Sequence, residues 1–205
     1  MAGSVAVAAH SMDEALKQLE HAENEKVDLV KLMITGGVLD AKEKGVPGEL
    51  KMKPEMVKAV CDRAHAAGYK VAAHVESPEG VKVALANGVD SIEHGAKPDD
   101  EMIRLFKEKN AFLCTTISPA VPYALFDRSL TNATDVEQYN GNIVFDGIVE
   151  CARAALANDI PVVLGNDVGC PWITQYDFWR ELCYFHKYTG VSNAFAPVSY
   201  THLRA

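Results

Sequence analysis

The chain has 205 residues, 48% of them hydrophobic and 23% charged, the balance of a soluble globular protein with one sizeable core. Its formal charge of −8, with no basic stripe, excludes an electrostatic nucleic-acid footprint. No run of about 18 apolar residues and no basic leader occurs, so neither a membrane span nor a signal peptide is expected; five scattered cysteines without C-x-x-C fit a reducing cytoplasm.

From the start, Met12 to Glu23 has a helical pattern and leads into an apolar strand, Asp28 to Ile34, interrupted by Lys31. Pro54 then suits the first position of a helix carrying Val57, Val60, Ala64 and Ala67 on one face, stopped by Gly68. The strand Lys70 to Val75 follows, with His74 at its end. Ser77-Pro78 opens the next helix, Val81, Ala84 and Leu85 form its apolar face, Gly88 closes it, and the strand Val89 to Glu93 runs into His94. A third copy begins at Pro98, uses Met102, Ile103, Leu105 and Phe106, and leads to the strand Ala111 to Thr115. Thr116 to Asn140 reads as a long connection of the kind that forms lids or binding loops. The helix through Val144, Ile148, Cys151 and Ala155 then precedes the strand Ile160 to Leu164, which ends in Gly165-Asn166-Asp167, and Gln175 to Tyr188 reads as a final helix.

Short apolar strands alternating with helices imply an α/β fold with a parallel sheet. A doubly wound sheet and a barrel both fit this alternation. Polar, metal-competent residues at successive strand ends favour the barrel, which builds its sites on that face. An intact (β/α)8 barrel has eight strands and about 250 residues, so the expectation is a partial TIM-type barrel about three strands short. Residues 1–194 are expected to form this domain. The segment 195–205 resembles read-through translation of a sequencing adapter and is expected to be non-native.

Lys31 interrupts Leu29-Val30-Lys31-Leu32-Met33-Ile34 and calls for a reason. It either faces solvent from an edge strand, carries a carbamate that bridges metals, or forms a Schiff base in a metal-free lyase. His74 and His94 are one βα unit apart, so parallel strands would bring both imidazoles to one edge, as metal ligands or as unrelated rim histidines. Asp167 is placed either to ligate a metal and move a proton or to make an Asx turn. In the long connection, Tyr123 and Arg128 are candidates to contact substrate, Arg128 through a substrate carboxylate.

The stretch His74-Val75-Glu76-Ser77-Pro78-Glu79-Gly80, continued by Gly88-Val89-Asp90-Ser91-Ile92-Glu93-His94-Gly95, resembles the strand-five and strand-six histidine motifs of the amidohydrolase superfamily, in its imidazolonepropionase-like and prolidase-like branch. Val30-Lys31-Leu32 with Thr35-Gly36-Gly37 is similar to that family's strand-four carbamylated lysine. Leu164-Gly165-Asn166-Asp167 resembles its strand-eight aspartate, with Asn166 where Thr or Ser is usual. The resemblance runs from about Met12 to Asn193 and implies a divalent metal site, commonly two zinc ions, held by Lys31, His74, His94 and Asp167. Asp167 would also be the catalytic proton carrier. It implies hydrolysis of an amide-type C–N bond, in a dipeptide or cyclic amide, through metal-activated water. The family's strand-one His-x-His pair has no counterpart in the sequence. An incomplete metal site, in an inactive fragment or a binding protein, is therefore the alternative. A small-molecule substrate is expected, with no nucleic acid or membrane partner, and self-association into a homo-oligomer is compatible with the unpaired edges of an open barrel.

Overall fold

A computed structural model describes residues 7–192; the segment 195–205 lies outside the described residues. Five strands, β1 (Leu29–Met33), β2 (Lys70–Val75), β3 (Ser91–His94), β4 (Phe112–Thr115) and β5 (Val162–Leu164), form one sheet in that order. Each is parallel to the next. The helices are α1 (Met12–Glu25), α2 (Pro54–Ala66), α3 (Pro78–Ala86), α4 (Asp100–Lys109), α5 (Ile117–Leu125), α6 (Arg128–Thr131), α7 (Asp135–Ala157) and α8 (Phe178–Thr189).

One stop signal recurs before every strand. Lys26, Gly68, Gly88, Asn110 and Asp159 all take left-handed backbone angles just past a helix. The residue after each folds its N–H back onto the helix: Val27 to Ala22, Tyr69 to Ala64, Val89 to Ala84, Ala111 to Phe106 and Ile160 to Ala155. These are Schellman closures, and each spends an apolar residue on ending a helix. For this reason β3, β4 and β5 begin one or two residues later than their apolar runs predict.

The register decides between the two parallel architectures. Met33, His74, Glu93, Cys114 and Val163 align across the sheet and therefore share a face, on which Lys31 also lies two residues before Met33. The opposite face, with Ala73, Val75, Ile92, Leu113, Val162 and Leu164, is buried in the core cluster beneath the helices. On the first face Lys31 is exposed, and Met33, His74, Glu93 and Cys114 are only partly buried. Helices thus cover one face alone, as around a barrel wall; a doubly wound sheet would be covered on both.

The expected long loop Thr116 to Asn140 is mostly helical. It contains α5, α6 and the start of α7, whose N-terminus is fixed by a reciprocal capping box between Thr134 and Glu137. Pro119 sits in the first turn of α5, where a missing N–H costs nothing, and α5 packs against α7. Among the described residues no helix is long and apolar enough to cross a membrane.

Candidate metal centre

β2 ends in His74-Val75-Glu76, so residues two apart turn to the same side and Glu76 follows His74 onto the open face. Strict alternation would put His94 with Ile92 on the helix-covered face. Instead, His94 has a left-handed backbone (φ 69°), which ends the alternation, and its ring stands edge-on to His74 with centroids 4.6 Å apart. Ligand atoms of His74, Glu76 and His94 all lie within 4.8 Å of one another. Two imidazoles and a carboxylate are a donor set that fits a divalent cation such as zinc.

Each histidine is held from behind. His74 Nε2 faces the Gly36 carbonyl oxygen at 3.4 Å, and His94 Nδ1 is 2.6 Å from Thr116 Oγ1. With those nitrogens engaged, His74 Nδ1 and His94 Nε2 are left as candidate lone pairs. Burial, and then the charge of Lys31, hold the His74 imidazole below the ordinary histidine range. Burial followed by His74 and Lys31 pushes His94 well below it. Both shifts favour the neutral ring, the form that metal ligation requires.

Glu76 is caged by the chain that leaves β1. Its Oε2 accepts the Val38 N–H at 3.0 Å, and its own N–H donates to Thr35 Oγ1 at 3.0 Å. A Cβ on Gly37 would come within 2.8 Å of that carboxylate, so any larger residue there would push Glu76 from its place. Burial, with Asp167 and Asp40 adding to it and the Val38 N–H opposing, pushes the Glu76 carboxyl up to about 7.

Lys31 faces outward from the open side of β1. Its side chain is 42% exposed and its Nζ is 3.9 Å from Glu93 Oε2. Among the described residues β1 is an edge strand, so Lys31 has a sheet neighbour on one side only. Asp167 follows β5 in a left-handed turn (φ 50°), where its Oδ2 accepts the Cys170 thiol at 2.9 Å. Its charge acts on both His74 and Glu76, yet it stands outside the group of converging ligand atoms. Tyr123 is part-buried on α5 against Gly141 of α7. Arg128 opens α6 with a 47% exposed side chain and pairs with Asp135 at 3.5 Å.

Sequence reading named both histidines but gave no role to Glu76, Glu93 or Thr116. The signal for Glu76 was present, since His-x-Glu at a strand end puts both side chains on one face. Thr116 had no comparable signal, because its role depends on the turn at His94.

A half-covered parallel sheet with histidines and a carboxylate gathered at the C-terminal ends of its strands has the arrangement of a barrel-type site able to hold a metal. The chain belongs to the amidohydrolase family, whose profile matches residues 1–197. It is similar to the crystal structure of a Bifidobacterium longum protein provisionally named a prolidase, with 36% identity and a TM-score of 0.88, covering 98% of this chain and 49% of that one. A Xaa-Pro dipeptidase with methionine bound in its active site shares the fold at 24% identity and a TM-score of 0.79, covering 96% of this chain and 47% of that one. An uncharacterized protein of Mycobacterium bovis is 38% identical over 63 residues, 31% of this chain and 17% of that protein. The chain thus spans about half the length of these solved structures.

Proposed function

We propose that this chain carries the metal-binding half of a hydrolase that cleaves an amide-type C–N bond in a dipeptide or cyclic amide. The observation that carries the reading is the convergence of His74, Glu76 and His94 at one sheet edge. Family membership and the prolidase-named relative supply the bond type as an inference. A divalent cation, zinc by its donor set, would be held by the two histidines with Glu76 and would supply Lewis acidity toward a substrate carbonyl and an activated water.

The chain's own residues do the rest. Neutral His74 and His94 offer one nitrogen each, while the Gly36 carbonyl and Thr116 hydroxyl keep the rings from turning. Asp167, exposed at the mouth, is the group available to take a proton and return it to the leaving nitrogen. Lys31 would join the site as a carbamate in a closed barrel, where a strand beside β1 removes its side chain from water. Tyr123 and Arg128 are the proposed substrate contacts; binding a carboxylate would require Arg128 to leave Asp135. The Schiff-base reading is weaker, since Lys31 is exposed and paired with Glu93.

Titration of the purified chain with Zn²⁺ by calorimetry, alongside release of proline from Xaa-Pro dipeptides, tests the proposal. One zinc per chain is expected, lost in His74→Ala and His94→Ala. Proline release that survives chelation, or substrate trapped on Lys31 by borohydride, would sink the reading. Zinc binding without turnover would instead favour the alternative of a binding protein or inactive fragment.

A further inference from the structure

A threonine at the N-cap of a helix ordinarily turns its hydroxyl onto an amide of the first turn. Thr116 occupies that position before α5, yet its side chain makes no capping bond. Its hydroxyl is committed to His94 Nδ1 at 2.6 Å. Pro119 has no N–H to offer, so the free donors of the first turn are the amides of Ile117 and Ser118.

Glu181 of α8 takes both. Its Oε1 accepts the Ile117 N–H at 2.7 Å and its Oε2 the Ser118 N–H at 2.6 Å. The Ser118 hydroxyl donates a third bond to Oε2 at 2.5 Å. Glu181 is 0% exposed, and it forms no ion pair among the described residues. An unpaired carboxylate is costly to bury, and an apolar residue of similar size would pack against α5 without that cost. The expense is explained if the carboxylate has work that only an acceptor can do.

We infer that Glu181 is a positioning residue for His94: by capping α5 from α8, it leaves the Thr116 hydroxyl to hold His94 Nδ1 and so leaves Nε2 for the cation. The inference rests on the reading of His94 as a ligand. Without the cap, the Thr116 hydroxyl is drawn to the Ser118 amide next to it, and His94 loses the partner that sets its tautomer and ring angle.

The test is nitrogen-15 NMR of the histidine rings in the metal-free chain at pH 8, followed by Co²⁺ titration. The parent is expected to hold His94 as the Nδ1–H tautomer; a dominant Nε2–H form would overturn the inference. Glu181→Gln turns an amide donor toward one backbone N–H and should mix the tautomers and weaken Co²⁺ binding about 10- to 100-fold. Thr116→Val should weaken it similarly, and the double variant should be no worse than Thr116→Val alone, because both act through one hydroxyl. Additive losses, or an unchanged tautomer in a folded Glu181→Gln chain, would overturn it. If Glu181→Gln does not fold, Glu181→Met removes cap and buried charge together and faces the same criteria. Should the parent bind no metal, the proposed function fails, while the tautomer still decides the role of Glu181.

Discussion

Asn140 and Gly45, 95 residues apart, are joined by a 2.8 Å bond from the Gly45 N–H to Asn140 Oδ1, and the Asn140 amide returns a second 2.8 Å bond to the Glu43 carbonyl oxygen. These bonds tie the loop after β1 to α7, near the salt bridge between Lys44 and Asp135. The same loop lines a cavity of about 270 Å³ with Gly36, Gly37, Asp40, Lys42, Glu49 and Lys51. Asn140 is fully buried, so Asn140→Ala leaves two backbone groups without partners. A loss of about 2–3 kcal/mol is expected by urea denaturation, with faster amide exchange at residue 45. Unchanged exchange there would show that the loop is held by other contacts.

Glu76 reports on the ligand set. Glu76→Gln keeps the shape and leaves an oxygen for the Val38 N–H, but it removes the anionic donor. Zn²⁺ affinity should fall about 10- to 100-fold, with the folding temperature of the metal-free chain maintained or raised, since burial disfavours the charge. Equal affinity in parent and variant would remove Glu76 from the site.

The Thr115 hydroxyl is buried and has no hydrogen-bond partner among the described residues. Thr115→Val replaces it with a methyl group of nearly the same shape, sparing a desolvated polar atom. Stability should be unchanged or raised by up to about 1 kcal/mol in urea. A loss greater than that would mean the hydroxyl finds a partner in solution.

The charge on Glu181 has a pH signature. Burial raises its carboxyl from 4.5 to about 7 against the pull of its three donors. The folded chain therefore holds this proton more tightly than the unfolded chain, and between those values the group's contribution to stability falls as pH rises. Relative to Glu181→Gln, the parent should lose about 3 kcal/mol between pH 4.5 and 7, with little further change above. Glu76 titrates in the same range but is common to both chains and cancels in the difference. Parallel stability curves for the two chains would show that Glu181 is not displaced upward.

The repeat of helix, stop and strand was legible because left-handed stops and apolar strands are written locally, and the spacing from His74 to His94 follows from one βα unit. Four things were not. Strand starts were hidden by Schellman residues such as Val89 and Ala111, which are apolar whether they end a helix or begin a strand. The helicity of Thr116 to Asn140 was masked by Pro119 and Pro122, although Thr134 and Glu137 spell a capping box. The exposure of Lys31 depends on its strand's place at the sheet edge, and the contact from Glu181 to α5 crosses more than 60 residues, as between Glu181 and Ser118 (63 apart). No local pattern encodes either.

The strands stand in the sheet in the order in which they are translated. A chain emerging from the ribosome can therefore lay β2 on β1, and each later strand on the one before, without waiting for a distant segment. Two helices reach back: α7 to the loop after β1 through Asn140, and α8 past β5 to α5 to deliver Glu181. The surroundings of His94 thus wait for α8, so a nascent chain halted before that helix would have these five strands paired and its histidine still unset.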